Sequence, residues 1–357
     1  MHIPSWLRHS GNPLTSRIDV CHNHLSVWPL AELPYPFHDR GISQMGDLVS
    51  IIICTFNHAE SLNATLKSIA GLEIPSGIDV EVVVVDNGST DHTCDVVRNV
   101  GPSPMEIRYF VEPRQGLSHA RNTALTHARG DIFLWTDDDV TVPPSWISAM
   151  TAPLLSGEFQ GAGGRVKMNP SLERPWMNRS HCVRLADTRY LSDDNPAMFG
   201  ANMAFTRDVL KTVPAFDVEL GAGQGPAGED TLFFSQMLVA GFKIAPVPAC
   251  IVEHNFDPSR LAYKYWIKSA IHTGLCAAYL NHHWRHEEVD KPALRELLWK
   301  SALTVLRTAQ RRKSDLEEGC LRLELRAVDN IACYRSMRSL EGTPRSYDRL
   351  GLVKREG

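Results

Sequence analysis

Three consecutive aspartates, Asp137, Asp138 and Asp139, follow the apolar residues 132–135. Carboxylates this close in sequence repel one another unless a cation compensates their charge. Proteins bind Mg²⁺ and Mn²⁺ through one or two carboxylates together with the phosphates of a substrate. The cluster therefore predicts a site for a divalent metal and a diphosphate, with a solvated acidic loop as the alternative.

A second acidic pair, Glu229 and Asp230, stands between Gly228 and residues 231–238, whose apolar spacing predicts an amphipathic helix. Acidic residues are common at helix N-termini for structural reasons, so this placement alone assigns no chemistry. The glycine-rich residues 221–225 lie just upstream. Because they follow no clear strand and lack the lysine of a phosphate-binding loop, we interpret them as a mobile lid or an acceptor-side loop.

The residues that must position these acids form short apolar runs separated by helical patterns. Residues 49–54 and 80–85 are typical of buried parallel strands, and a helix over Ala59–Ala70 between them completes a β-α-β unit. Two further strands, around residues 107–110 and 132–135, flank a second predicted helix. This alternation predicts an α/β fold.

Polar side chains follow three of these predicted strands. Thr55 and Asn57 follow the first strand, Asp86 follows the second, and the aspartate cluster follows the last. In open parallel sheets, ligands bind beyond the carboxyl ends of the strands. We therefore expect a ligand at this edge, although Asp86 could instead cap a helix, a role that suits Asp91 better.

Composition narrows the class of protein further. The chain has 357 residues and a formal net charge of -4, which provides no general attraction to nucleic acid. Its 8 cysteines form no C-x-x-C pair, no charged-then-apolar leader precedes them, and no run approaches the length of a membrane span. We therefore expect a cytoplasmic location, with any membrane contact made from the surface at its inner face.

Six sequence motifs occur in the order and approximate spacing found in family 2 glycosyltransferases, which the chain resembles over roughly residues 48–256. They are VSIIICTFN (49–57), VDNGSTD (85–91), GLSHARN (116–122), LWTDDD (134–139), FGANM (199–203) and GED (228–230). The resemblance implies a GT-A fold, which is Rossmann-like, and an inverting enzyme that depends on a nucleotide-sugar donor. It also implies a D-x-D motif within the aspartate cluster.

The resemblance also implies a role for individual residues. Those expected at the donor nucleotide are Thr55, Asn57, Asp86, Arg121, Asp137 and Asp138. Asp86 would accept a hydrogen bond from a uracil or thymine ring nitrogen, and Arg121 would approach the base. Asp137 would lie near the ribose.

At the reacting end of the donor, the resemblance implies that Asp139 ligates Mn²⁺ or Mg²⁺. His254 would lie near the metal or diphosphate, or would simply be packed, as lone histidines often are. Asp230 would be the general base that deprotonates the acceptor hydroxyl, with Glu229 as its neighbour or replacement.

We divide the chain into an irregular N-terminal extension (1–46), a GT-A catalytic domain (47–257), a helical C-terminal region (258–342) and a tail (343–357). Within the helical region, residues 294–313 combine apolar spacing with basic residues. Such a helix could lie on an anionic bilayer or pack against its neighbours.

The expected reaction is transfer of a sugar, most readily from a UDP-sugar, to a hydroxyl of a glycan, lipid-linked or small-molecule acceptor in cell-wall or polysaccharide biosynthesis. One alternative is a sugar-phosphate nucleotidyltransferase, but Thr55-Phe56-Asn57-His58 is not the glycine-rich, basic loop of that class. The other is a non-catalytic sugar-binding or scaffold protein, against which the retention of Asp139 and Asp230 argues.

Overall fold

One eight-stranded sheet organises the chain, with strand order β3-β2-β1-β4-β7-β6-β8-β5. The computed structural model describes residues 47–101, 103–193, 196–223, 225–288, 298–305 and 318–355. The strands are β1 (Asp47–Thr55), β2 (Ile78–Asp86), β3 (Glu106–Val111), β4 (Ile132–Asp137), β5 (Val140–Thr141), β6 (Gly161–Met168), β7 (Met203–Thr206) and β8 (Ile244–His254). The helices are α1 (Ala59–Ala70), α2 (Thr93–Arg98), α3 (Leu117–His127), α4 (Trp146–Leu155), α5 (Arg179–Arg184), α6 (Glu229–Val239), α7 (Tyr263–Tyr279) and α8 (Arg322–Ser339).

The predicted β-α-β unit is confirmed. Strands β1 and β2 pair in parallel, and α1 begins and ends at the predicted residues. The helix buries Leu62, Leu66 and Ile69 on one face, at helical spacing, against the valines and isoleucines of the sheet. Burial on both faces of the sheet explains why these strands are almost continuously apolar.

The other half of the sheet is mixed rather than parallel. Strand β7 runs antiparallel to both β4 and β6, whereas β6 and β8 are parallel. Strand β6 begins with the sequence Gly-Ala-Gly-Gly, and a Cβ at Gly163 or Gly164 would collide with Ala197 or Asn202. Close packing therefore requires small residues there. The strand consequently lacks the run of large apolar residues by which a buried strand is recognised in a sequence.

Helix α6 differs from the predicted amphipathic pattern, because it is buried on most sides. Phe233, Phe234 and Met237 pack in the core beneath the sheet, while Leu232 packs against Cys276 of α7. The helix is thus a central element between the sheet and the following helices. Its acidic first turn is consequently fixed from several directions.

Beyond the sheet, the described residues of the predicted helical region 258–342 are helical with interruptions. A 3₁₀ turn at Pro258–Leu261 precedes α7, a π-helical turn at Leu280–Arg285 follows it, and residues 286–288 and 318–321 are not helical. Helix α8 packs closely along α7, where Gly274 leaves no room for a side chain beside Asp329. None of the described helices is long and apolar enough to cross a membrane.

Two predicted regions lie partly or wholly outside the described residues. These are the extension 1–46 and most of the proposed basic helix 294–313, of which only residues 298–305 are described, as helix. The predicted division of the chain after residue 257 stays a prediction.

Candidate active site

The carboxyl ends of β1, β2 and β4 are aligned, which brings the predicted donor residues together. Thr55 pairs in register with Asp86, and Cys54 pairs with Asp137 on the other side of β1. Side chains that are 31 and 83 residues apart in sequence therefore share one edge of the sheet. This edge is where open α/β sheets bind ligands.

Asn57 ties together the loops that follow β1 and β2. Its backbone is left-handed, with φ of 54°, a conformation that asparagine tolerates better than most residues. Its side-chain oxygen accepts a hydrogen bond from Thr90 N at 2.7 Å, and its own N–H donates to Ser89 Oγ at 2.8 Å. Asp91 accepts from Ala59 N at 3.1 Å, so the start of α1 is joined to the same loop.

Asp86 is buried and held in a fixed orientation. Its Oδ1 accepts from Ser89 N at 2.7 Å, and its Oδ2 accepts from the Tyr109 hydroxyl at 2.5 Å. It therefore stabilises a loop rather than capping a helix. Beside it, Thr55 Oγ1 is buried and has no hydrogen-bond partner among the described residues. Buried polar atoms normally have a hydrogen-bond partner, so this unpaired hydroxyl at a strand end indicates a position where a ligand could bind.

Asp139 and His254 face each other across the sheet, because β5 pairs with β8. His254 Nε2 lies 3.2 Å from Asp139 Oδ2, and its Nδ1 lies 3.0 Å from the Leu185 carbonyl oxygen. A carbonyl can only accept, so Nδ1 carries a proton, and Nε2 is the ring nitrogen that faces Asp139. Arg260 Nη1 approaches the same point, 3.5 Å from Asp139 Oδ2.

The charge state of Asp139 suits a cation site. Burial alone raises its pKa, but the hydrogen bond with His254 and the nearby charges of Arg260 and His58 outweigh burial, so the pKa lies below its ordinary value. An ionised carboxylate and a correctly oriented imidazole fit Mn²⁺ or Mg²⁺. Among the described residues, no group of three or more His, Cys, Asp or Glu side chains could hold a metal alone. Further ligands would have to come from phosphate and water.

Asp137 and Asp138 differ in their surroundings. Removal from bulk water raises the pKa of Asp137 to about 7, although 39% of its side chain is exposed, and Arg121 opposes that shift. Asp138 Oδ1 lies 3.2 Å from His58 Nδ1, and this hydrogen bond raises the pKa of His58 above its usual value. The carboxylate cluster therefore already attracts positive charge on both sides.

Arg121 occupies a place that sequence reasoning did not anticipate. It is buried on α3, with Nη1 2.9 Å from Glu229 and Nη2 3.9 Å from Asp137. Its guanidinium also lies over the rings of Trp135 and Phe216. Nη1 has no aligned hydrogen bond among the described residues, so charge rather than hydrogen bonding holds this pair. Arg121 thus bridges the aspartate cluster and the acidic first turn of α6.

Asp230 is partly exposed and firmly bonded by backbone groups at the start of α6. Its Oδ2 accepts from Gly200 N at 2.9 Å, and its Oδ1 accepts from Thr231 N at 2.5 Å. Gly200 packs directly against this arginine, because a Cβ there would overlap the Arg121 guanidinium unless the guanidinium moved. The segment around Gly200, the arginine and the acidic pair therefore form one packed unit.

Glu229 is buried beside Asp230 and pairs with Arg121. Burial raises its pKa, and the attraction of Arg121 opposes this shift. Its carboxylate also accepts a hydrogen bond from Gly228 N at 3.1 Å. The two acids of the motif thus differ, since Glu229 is enclosed and charge-paired whereas Asp230 reaches solvent.

Comparison with known proteins decides the family. Residues 50–213 match the family model described as "Glycosyl transferase family 2". Residues 50–213 therefore belong to glycosyltransferase family 2. The matched residues include all three strand ends described above, and the chain is accordingly a glycosyltransferase enzyme.

Individual relatives agree with this assignment. The glycosyltransferase is 26% identical to the succinoglycan biosynthesis protein ExoM of Rhizobium meliloti over 228 residues, which is 63% of this chain and 72% of ExoM. It is 29% identical to the cholesterol galactosyltransferase of Borreliella burgdorferi over 102 residues, which is 29% of this chain and 28% of that protein.

Among solved structures, the glycosyltransferase resembles the mannosyltransferase PcManGT from Pyrobaculum calidifontis, determined in complex with GDP-Man and Mn²⁺. The TM-score is 0.54 and the identity 20%, covering 87% of this chain and 90% of that one. This likeness confirms the predicted GT-A fold with helices that follow the sheet.

Sequence reasoning missed three polar residues that the fold brings to the site: His58, Tyr109 and Arg260. His58 directly follows Asn57, so its position at a strand end was a readable signal. Tyr109 lies one strand away, where Val84 of β2 is its register partner. Arg260 comes from the turn after β8, and no local pattern identifies it.

Proposed function

We propose that this glycosyltransferase moves a sugar from a nucleoside diphosphate to a hydroxyl acceptor in one displacement that inverts the anomeric configuration. The observation that carries the proposal is the bridge made by Arg121, 2.9 Å from Glu229 and 3.9 Å from Asp137. The guanidinium therefore lies between the donor-side Asp137 and Glu229, the residue that precedes the proposed base Asp230. A single displacement needs the leaving group and the acceptor base at one centre.

The donor nucleotide is proposed to bind over Thr55, Asn57 and Asp86. The carboxylate of Asp86 can accept a hydrogen bond from a ring N–H, which a uracil provides. The GDP-Man bound by PcManGT indicates that the fold accommodates another base. We therefore expect UDP as the nucleotide and include GDP donors in the test.

Asp139 and His254 are proposed to hold Mn²⁺ or Mg²⁺, and the Mn²⁺ bound in the PcManGT complex supports a divalent ion. When bound, such an ion stabilises the negative charge that develops on the departing diphosphate. The role of Leu185 is to fix the His254 ring through its carbonyl oxygen. Arg260 adds a second positive charge 3.4 Å from His254 Nε2.

Asp230 is proposed to remove the acceptor proton. Its two backbone hydrogen bonds aim the carboxylate, while its partial exposure leaves lone-pair directions open to a substrate. Glu229 is less suitable, because it is buried and pairs with Arg121. Geometry therefore favours Asp230 over its neighbour.

The acceptor is proposed to be a growing glycan, free or lipid-linked. The similarity to ExoM, whose name places it in succinoglycan biosynthesis, supports a role in polysaccharide assembly. We further propose that the enzyme acts in the cytoplasm, with contact to the inner face of the membrane through residues 294–313.

The direct test is a screen for diphosphate release from UDP-glucose, UDP-galactose, UDP-N-acetylglucosamine and GDP-mannose with Mn²⁺ or Mg²⁺. Asp139→Ala should abolish release without unfolding the protein, as should excess EDTA added to wild type. Asp208→Ala is the matched control, because this exposed carboxylate lies in the turn after β7 and pairs only with Lys211 among the ion pairs described. Full activity in excess EDTA would refute the metal assignment.

A further inference from the structure

Asp217, in the segment between β7 and α6, is a buried carboxylate with several donors around it. It accepts hydrogen bonds from Tyr279 Oη at 2.7 Å and from Tyr347 Oη, while Lys354 Nζ lies 3.0 Å from its Oδ1. Glu219, two residues on, lies 2.6 Å from the same Tyr279 Oη, so the two acids share its single proton, and Glu219 also pairs with the same lysine. A buried acid costs stability unless it is paired in this way, so these donors are essential to the segment.

Two of the donors come from residues 346–355, which we call the strap. Tyr347 is fully buried, and Leu350 N donates to the Trp284 carbonyl oxygen at 2.9 Å. Arg355 N donates to the Ser346 carbonyl oxygen at 2.7 Å, which closes the strap on itself. The sequence indicated a tail here, but the described part packs as a defined element against α7 and the turn that follows it.

The loop that the strap holds leads directly to the proposed base. On its other side, Ser118 Oγ donates to the Leu220 carbonyl oxygen at 2.7 Å, and Leu117 N donates to that of Ala222 at 2.9 Å. Gly228 has φ of +128°, and a Cβ there would collide with Cys276 Sγ of α7. The described residues between 217 and 228 are therefore clamped at several points just before Asp230.

We infer that Tyr347 and Lys354 are positioning residues for transfer: by fixing Asp217 and Glu219 they set the approach of the loop and hold Asp230 against Gly200 N. This inference rests on the proposed role of Asp230 as base. The strap thereby couples residues over a hundred positions downstream to the acceptor side of the site. Its contacts described above all lie away from the donor edge of the sheet.

Hydrogen exchange tests the geometry without requiring turnover. The Gly200 amide donates to Asp230, so its exchange reports whether the base stays in place. In Lys354→Met and Tyr347→Phe, we expect exchange at Gly200 and at residues 218–222 to accelerate about tenfold, as the loss of one charge-assisted hydrogen bond implies. Amides of β2 should not change, which separates loop release from global destabilisation.

Matched variants sharpen the comparison. Lys354→Arg keeps the positive charge and should restore slow exchange, whereas Arg355→Met removes an exposed pair with Asp348 and should have no effect. Unchanged exchange at Gly200 in both Lys354→Met and Tyr347→Phe would overturn the inference. Acceleration of all amides equally would overturn it as well.

Kinetics provide a second readout. With water as acceptor and Mn²⁺ present, hydrolysis of UDP-glucose and GDP-mannose should show kcat about tenfold lower in Lys354→Met, with KM for the donor within about twofold. A rise of donor KM that accounts for the whole loss would contradict a positioning role on the acceptor side. If Asp230→Asn hydrolysed donor at the wild-type rate, the base assignment would fail, and the exchange result would still decide what the strap does.

Discussion

Replacing Asp230 by asparagine tests the mechanism most directly, and the structure shows that this change is not isosteric in its hydrogen bonding. Each carboxylate oxygen accepts from a backbone N–H, one from Gly200 at 2.9 Å and one from Thr231 at 2.5 Å. Asparagine has one acceptor oxygen, so its NH₂ group must face one of these two donors. The variant therefore loses a hydrogen bond as well as the proposed base.

The two losses have different sizes and different readouts. Losing one hydrogen bond at a partly exposed site lowers the free energy of unfolding by about 1 to 3 kcal/mol, which shifts melting by several degrees. Losing a general base lowers turnover by roughly 10² to 10⁴, equivalent to about 3 to 5 kcal/mol of transition-state stabilisation. Turnover of the folded protein should therefore fall further than the stability change alone explains.

The assay measures diphosphate release and, separately, the affinity for UDP in the presence of Mn²⁺. In Asp230→Asn, turnover should fall while UDP affinity changes little, because Asp230 does not contact the departing diphosphate in the proposed mechanism. Asp139→Asn should behave in the opposite way and weaken metal-dependent UDP binding together with turnover.

Glu229→Gln is the matched control for the adjacent acid. It should retain more turnover than Asp230→Asn, since Glu229 is buried and paired with Arg121. Near wild-type turnover in Asp230→Asn combined with its loss in Glu229→Gln would move the base to Glu229. Activity in both variants would refute the acceptor-side mechanism.

Three further predictions concern other parts of the molecule. Gly200→Ala should lower turnover at least about tenfold, because the added Cβ would displace the Arg121 guanidinium. Gly71→Ala is the control and should leave turnover unchanged, because a Cβ there meets only ordinary contacts. Equal kinetics in both variants would contradict the role of the Gly200–Arg121 contact. Burial lowers the pKa of His283 to about 4, so between pH 6.5 and 4 the unfolded chain binds the extra proton and stability falls as pH falls. Between about pH 7 and pH 5, the free energy of unfolding measured in urea should fall by about 2 kcal/mol, and His283→Gln should abolish this fall. If the variant shows the full fall, His283 is not its cause. Trp299 is 67% exposed in helical residues 298–305, and we expect it to support binding to anionic vesicles that weakens as the salt concentration rises. If the protein does not co-sediment with vesicles at low salt, the helix does not bind membranes and only packs against the protein.

The sequence predicted those elements whose burial produces a simple pattern. Strands β1 and β2 are covered on both faces, so their valine and isoleucine runs were readable, and α1 shows a single apolar face. Strand β6 is equally buried but begins with glycine and alanine, because neighbouring groups lie too close for larger side chains. Apolar periodicity does not detect such a strand, since close packing rather than hydrophobicity chooses its residues.

Within the candidate site, the acids were predictable but several of their partners were not. Asp137 and Asp139 stand at the end of an apolar strand, and that position is visible in sequence. Tyr109 reaches Asp86 only because β3 pairs with β2 in one register, and Arg260 reaches Asp139 only because β8 returns beside β5. Such contacts depend on long-range pairing, which local sequence does not encode.

The position of Arg121 follows from electrostatics once the fold is known. A guanidinium stays charged at any accessible pH, so a buried arginine must lie against carboxylates, and the acids beside this face of α3 are those of the two motifs. Its two terminal nitrogens lie 2.9 Å from Glu229 and 3.9 Å from Asp137, which a lysine with one ammonium could not span in the same way. One side chain thus balances charge on the proposed donor and acceptor sides together. If either Glu229 or Asp137 is neutralised, the Arg121 guanidinium is attracted more strongly to the remaining acid. The two halves of the site are therefore coupled through a single cation.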